Sequence, residues 1–522
     1  MANLIDTTTS TLSQNSFCFE TRNINKELIN IPLDDAKFGI LNFKAVTAKE
    51  INKELDFIFT VDCSGSMSDR CSDGRNKMQH IIHTLKNMIL FFVELPSIKV
   101  NITINAFDDK IHNVIVRTLI STDNYEYIIT AVDKISPRNS TNIEHALRFS
   151  SELSRDLINQ YPNNIISHIF MTDGEATDGS RDIDILKEYI VSDISNIFIG
   201  FGTDHDATLL NGISSINKGA YFFIDKLESA GLVYGEILHG IVYKLLTDVR
   251  ITIENGLIYD FKTNTWVKDL NIGDIVSEAN KIYNIASDNP TECEIKIIGR
   301  SDDLVIIYNS QYNNDLNSDL TTHIFRQRTL QILYEVNEFC KKKRDTNNNN
   351  IFGFYVNNNV DNINNNNDVK IILKNKLVSF IEEVKKYITD NGLQDDKFLK
   401  NLCDDIYVCY RTFDTKYGGM FCTARQTSQG TQRIYTASNT DDIINNNFNN
   451  FNTFGTHRNI NNARANLNFM ENNDDDDMIQ HELSSFDDAP YMTPQATQVM
   501  RFVSLSINLK DDTDYDATEV IN

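Results

Sequence analysis

Asp62, Ser64 and Ser66 stand at alternate positions in VDCSGSMSDR, residues 61–70, directly after the apolar run LDFIFTV. Two further oxygen donors follow, Thr141 in RNSTNIEHAL and Asp173 in HIFMTDGEATDG. A set rich in hydroxyls and poor in carboxylates suits a hard divalent cation such as Mg2+, which takes oxygen ligands and keeps waters or an open position. Hydroxyl ligands leave the ion more electrophilic than a cage of carboxylates would, so it seeks a carboxylate from outside. Each donor also has a bland reading. Thr141 opens Thr-Asn-Ile-Glu, the pattern of a capping box. Asp173-Gly174 is a common turn, and Ser64 and Ser66 are able to cap a following helix. Three oxygen clusters at loops expected on one edge of a sheet favour a shared site over three coincidental caps.

Cys63 lies among these donors and Arg70 follows them, which raises a Cys-dependent phosphatase. The loop between the two is one residue longer than such an enzyme uses. A haloacid-dehalogenase type of phosphotransferase wants a second Asp at position 64, where Ser64 stands. No GxxxxGK[ST] phosphate loop is present for nucleotide hydrolysis. Catalysis is therefore not expected.

The elements that must position the donors are legible from hydrophobic pattern. Residues 52–248 alternate short apolar runs with helical periods, the mark of a parallel sheet covered by helices. The expected strands are LDFIFTV, IKVNITINAF, IHNVIVRTLI, NIISHIFMT, ISNIFIGFG and GAYFFI. Between the first two, Met78, Ile81, Ile82, Leu85, Met88, Ile89 and Phe92 form one apolar helical stripe. Ligands of a doubly wound sheet bind outside the carboxyl ends of its strands, where loops from different strands meet.

Beyond that unit, residues 249–310 read as a small antiparallel β module and 311–436 as a helical module. The Asn-rich stretch 345–368 reads as an insertion loop within the helical module, residues 437–522 as a mostly disordered acidic and Asn-rich tail, and 1–51 as an N-terminal extension. A length of 522 residues suits several domains. The net charge of −24 argues against nucleic acid as a partner, because phosphates need Lys and Arg. No membrane span and no signal peptide are expected. Eight scattered cysteines without a CxxC pair suggest free thiols and a cytoplasmic protein.

The D-x-S-x-S run, Thr141 and TDG together resemble the von Willebrand factor A domain and its metal-ion-dependent adhesion site, over roughly residues 52–248. The resemblance implies a doubly wound, mostly parallel α/β sheet of Rossmann-like form. It implies that Asp62, Ser64 and Ser66 surround the metal, that Thr141 binds directly or through water, and that Asp173 acts mainly through water. The ion would be Mg2+, or Mn2+ or Ca2+, and a Glu or Asp of a protein partner would complete its sphere.

A second resemblance covers the remainder. A β module containing LNIGDIVSEANKIYNI, a helical segment, then YGGMFCTARQTSQGTQR and PYMTPQATQVM are similar to the C-terminal organisation of intracellular plant A-domain proteins. Those carry a RING finger ahead of the A domain and act in ubiquitin transfer. Residues 1–50 here hold one Cys, Cys18, and no His, so they form no RING zinc site. The expected function is a metal-dependent protein-interaction scaffold, with an adaptor subunit of a ubiquitin ligase and a Cys63 phosphatase as the alternatives.

Overall fold

The computed structural model describes residues 12–434, apart from 23–28, 34, 49–50, 52, 72–73, 96, 203–204, 225–229, 302–303, 314–318, 352–359 and 416, together with residues 491–505. Its central sheet has the order β5-β4-β3-β6-β7-β8. The strands are β3 (Leu55–Asp62), β4 (Val100–Phe107), β5 (Ile111–Leu119), β6 (Ile165–Thr172), β7 (Ser195–Phe201) and β8 (Gly219–Ile224). All pair in parallel except β4 with β5, which fold back as a hairpin. These are the six strands expected from the apolar runs.

Helices α1 (Lys77–Val93), α2 (Tyr125–Val132), α3 (Ile143–Gln160), α4 (Ile183–Glu188), α5 (Ala207–Ile213) and α6 (Ala230–Val242) follow along the same unit. All of β3 is buried, as in a strand covered on both faces. Period-two alternation decides what each residue meets. Phe57 lies against Phe92 of α1, ring centroids 4.8 Å apart. The opposite register meets α3, with the Thr60 and Ser150 hydroxyls 2.8 Å apart and Ile58 packed beside Leu157. The predicted stripe of α1 is buried at Met78, Ile81, Leu85, Met88, Ile89 and Phe92 and half-buried at Ile82.

The β module is larger than the sequence suggests and is built from two distant stretches. One sheet has the order β11-β10-β13-β2-β1-β16 and the other β12-β9-β14-β15. Strands β1 (Leu12–Phe19) and β2 (Lys37–Ala45) come from the segment read as an N-terminal extension. The others are β9 (Lys244–Glu254), β10 (Leu257–Asp260), β11 (Thr265–Val267), β12 (Asp269–Val276), β13 (Asn280–Ser287), β14 (Glu294–Ser301), β15 (Leu304–Asn309) and β16 (Gln311–Tyr312). Phe17, Phe19, Leu41 and Phe43 of the early strands share one core with Val249, Ile251, Ile253, Ile285, Ile295 and Ile297. The parallel-sheet unit is thus inserted between two halves of a sandwich.

Helices α7 (Thr321–Ile351), α8 (Val360–Asp390), α9 (Lys397–Thr412) and α10 (Gly418–Thr431) form the helical module. They pack Phe325, Leu333, Val336, Leu377, Phe380, Leu402 and Ile406 into one cluster. The Asn-rich insertion differs from the loop expected there: α7 and α8 run into it from either side. Once a helix is nucleated by a packed segment, adding polar residues to its end costs little. A polar seam joins this module to the sandwich. Asn284 Nδ2 donates to Gln327 Oε1 at 2.7 Å, and Arg326 donates to the carbonyls of Ile282 and Gln429 at 3.0 and 2.7 Å.

Residues 437–490 and 506–522 of the expected tail lie outside the described residues. Within it, however, α11 (Pro494–Leu505) packs on α6 and α1. Ala496, Val499, Met500 and Val503 are buried on its inner face. A Cβ on Gly231 or Gly235 of α6 would run into the backbone of Ser504 and Met500, so this approach requires glycine at both positions.

The packing of α11 predicts that Met500→Ala costs about 2–5 kcal/mol, read as a fall in the urea midpoint. An unchanged midpoint would place α11 off the domain. A second expectation concerns acid. His168, His205 and His239 are held down to about 4, chiefly because burial disfavours the imidazolium. The unfolded chain takes up these protons first, near pH 6.5, so stability is full above that pH and is lost as pH falls toward 4. Denaturant titrations between pH 7.5 and 4.5 should show a slope smaller by up to about 1.4 kcal/mol per pH unit in His168→Asn; an equal slope would mean that His168 is already protonated in the fold.

Candidate metal centre

β3 and β6 are neighbours at the point where the chain's crossovers diverge to opposite sides of the sheet, and Asp62 and Asp173 stand at their carboxyl ends. Asp62 ends β3, Asp173 follows Thr172 at the end of β6, and Thr141 lies just before α3. Backbone hydrogen bonds join the three loops. Gly65 N–H donates to Asn139 O at 3.1 Å, Arg138 N–H to Cys63 O at 2.7 Å, and Thr177 N–H to Thr141 O at 2.9 Å. Thr141 N–H in turn donates to the Thr177 hydroxyl at 2.8 Å.

Hydrogen bonds link these groups one to the next. Asp62 Oδ1 accepts the Ser64 N–H at 2.7 Å and Oδ2 accepts the Thr172 hydroxyl at 2.5 Å. The Ser64 and Ser66 hydroxyls are 3.1 Å apart, and Ser66 Oγ donates to Asp173 Oδ1 at 2.8 Å. Thr141 lies near the same group: a Cβ on Gly174 would meet both Ser66 Oγ at 3.6 Å and Thr141 Oγ1 at 3.8 Å. Helix capping does not explain these hydroxyls. Asn142, not Thr141, caps α3 by accepting His145 N–H at 2.8 Å. Asn76 and Gln79 form the capping box of α1, and Ser64 makes no side-chain cap to the 3-10 turn Gly65–Ser68.

Both carboxylates are fully buried. Burial pushes Asp62 up to about 7 and the charge of Asp173 adds to the rise, against hydrogen bonds from Thr172 and Ser64 that oppose it. Asp173 carries its own counter-charge, Lys77 Nζ at 2.7 Å from Oδ2, whereas among the described residues Asp62 accepts from the neutral Ser64 N–H and Thr172 hydroxyl. Two buried carboxylates with three hydroxyls and a single ammonium form an oxygen set with surplus negative charge, which fits a hard divalent cation.

Lys77 is the residue that sequence reasoning missed. Its signal was its position: a cation in the first turn of a helix opposes the macrodipole. Here that ammonium is anchored by Asp173 and lies 3.6 Å from Asp69 Oδ2.

Cys63 points to the other side of the strand end and has the opposite properties of a nucleophile. It is fully buried, and burial, with the Asp108 charge beside it, pushes its thiol up to about 12. Arg138, not Arg70, bonds its side chain. Arg70 is exposed and pairs through its backbone with Asn76. Reactive cysteines have lowered pKa values and partial exposure, so the geometry gives the phosphatase reading no support.

The parallel sheet and its helices define an α/β unit, and comparison with known families agrees. Residues 56–235 match the von Willebrand factor type A domain; the chain carries such a domain, inserted in a sandwich. It is similar to von Willebrand factor A domain-containing proteins of Dictyostelium discoideum, 26% identical over 49% of this chain in one case and 28% over 35% in another. The aligned parts cover 26% and 19% of those two proteins, so the chain spans about a quarter or less of their length. A von Willebrand factor type A structure from Catenulispora acidiphila aligns over 66% of this chain and 84% of its own, with 13% identity and a TM-score of 0.45. Among the described residues no helix is long and apolar enough to cross a membrane.

Because Lys77 and Asp173 are both buried, Lys77→Met should cost about 3–5 kcal/mol by leaving a carboxylate without its partner. Adding Asp173→Asn should restore much of that loss in a double-mutant cycle by chemical denaturation. Strictly additive losses would show that the two side chains do not depend on each other.

Proposed function

We propose that the chain is a metal-dependent protein-binding scaffold whose A domain holds a hard divalent ion, Mg2+ first and Mn2+ or Ca2+ as substitutes, through Asp62, Ser64, Ser66 and Thr141. Asp173 acts from one step away, through its bond from Ser66 and its ion pair with Lys77. The bound ion supplies a Lewis-acidic position that a Glu or Asp carboxylate of a protein partner fills. The observation that supports this reading is the hydrogen-bonded path from Asp62 through the Ser64 N–H and the Ser64 and Ser66 hydroxyls to Asp173, with hydroxyls that serve no cap. Because uncharged hydroxyls outnumber the carboxylates, the ion retains net positive charge, and an acidic partner group is its complement. A reducing, intracellular setting is supported by the eight cysteines, all free thiols.

The reading is tested by capture of an acidic peptide array or of partner protein in Mg2+ against chelator. Asp62→Ala, Ser64→Ala and Ser66→Ala should each abolish or sharply reduce metal-dependent capture, and Asp173→Ala should weaken it roughly 10 to 100-fold, as outer-contact losses do. If folded Ser64→Ala and Ser66→Ala capture normally, or if chelation changes nothing, the assignment is wrong.

A further inference from the structure

The loop after β3 has a second face. Cys63 sits between Asp62 and Ser64, and strand alternation turns its side chain away from theirs. Its N–H donates to Phe107 O at 2.8 Å, which fixes it beside the β4–β5 hairpin. There the sulfur of Cys63, a carboxylate oxygen of Asp108 and a ring nitrogen of His112 lie within 4.8 Å of one another. Among the described residues no other three His, Cys, Asp or Glu side chains converge in this way.

We propose that Cys63, Asp108 and His112 form a site for a borderline-soft divalent cation of the Zn2+ class, separate from the oxygen cluster. Zinc accepts sulfur at about 2.3 Å, imidazole nitrogen at about 2.0 Å and carboxylate oxygen at about 2.0–2.2 Å. Tetrahedral bonds of those lengths set the ligand atoms roughly 3.3–3.7 Å apart, within the spread found here. His112 Nε2 and Asp108 Oδ1 are 3.0 Å apart, a hydrogen bond that the ion replaces. Asp108 is already oriented: Lys110 N–H donates to Oδ1 at 2.7 Å, and Asn139 Nδ2 donates to Oδ2 at 3.0 Å. Such outer contacts fix the carboxylates of metal sites.

Binding releases the Cys63 proton to solvent. Thiolate, carboxylate and dication then sum to zero, which suits a place where Cys63 and Asp108 are fully buried. Arg138, the cation nearest the sulfur, has an exposed side chain that can turn to solvent. Three protein ligands leave a fourth position for water or an external donor, approached from half-buried His112. The ion clamps the hairpin to the loop that carries Asp62 and Ser64. The site stands whether or not the oxygen cluster takes Mg2+, because the donor chemistry and the residues differ.

Metal-free full-length protein titrated with Co2+ should develop a cobalt–thiolate charge-transfer band that saturates at one equivalent and is bleached by Zn2+. Excess Mg2+ should leave the band in place. Cys63→Ser should remove it, Cys71→Ser should not, and His112→Ala should weaken Co2+ binding by at least roughly tenfold. The site is refuted if the wild type gives no thiolate band, if the band survives Cys63→Ser, or if Mg2+ abolishes it. Should Cys63→Ser fail to fold, His112→Ala decides alone, since His112 is only half-buried: undiminished Co2+ affinity in that variant also refutes the site.

Discussion

A carboxylate buried at the end of a fully covered strand is the constraint on which this molecule turns. Asp62 is the last residue of β3, and the seven residues before it are also buried. Water cannot solvate its charge, so the protein must supply partners, and these are the backbone at Ser64 in the loop that follows and the Thr172 hydroxyl at the end of the neighbouring strand. The same bonds set the positions of Ser64, Ser66 and Asp173. A site built this way is made by the core of the domain rather than added to its surface, which is why its donors are rigid before any ion arrives.

How much was legible follows from the range of the interactions involved. The six strands of the parallel sheet were readable because each is a short apolar run between turns, and the stripe of α1 because its period is local. β1 and β2 were not, since LSQNSFCF and KFGILNFKA are individually ambiguous and, although they pair with each other, the strands on their outer sides, β16 and β13, lie more than two hundred residues away. The ends of the Asn-rich stretch, 345–351 and 360–368, are helical although its composition is poor for packing, because the helices that enter it are held by residues outside it; 352–359 lie outside the described residues. α11 was hidden by context, an apolar-faced dozen residues inside a strongly acidic region.

The candidate site divides in the same way. Asp62, Ser64 and Ser66 are contiguous, so their spacing alone displays them on one side of an extended segment. Thr141 and Asp173 needed the additional premise that loops from different strands share an edge, and the hydrogen bond from Ser66 to Asp173 makes that premise concrete. Lys77 offered only the signal of a cation in the first turn of α1, and nothing in a sequence says which way that turn faces. His112 and Asp108 were invisible as partners of Cys63 for a related reason: only the antiparallel return of β5 on β4 brings them to the same loop.

The insertion of the A domain into the sandwich has a mechanical consequence. The chain enters β3 shortly after β2 and leaves α6 through Tyr243 directly into β9, with a backbone bond from Ser277 N–H to Tyr243 O at 2.9 Å holding that exit to the sandwich. On its other side α6 is covered by α11 through Gly231 and Gly235, where the backbones nearly touch. α6 therefore has a fixed end and a fitted face. Sliding it along its axis would drive Tyr234 or Leu238, which share the face of Gly231 and Gly235 at helical spacing, toward the backbone of α11 in place of a glycine, and a close-packed interface responds to that by separating rather than by deforming. Motion of α6 and release of α11 are for this reason one event, and α11, the last described element, is a structural part of the domain that carries the oxygen site.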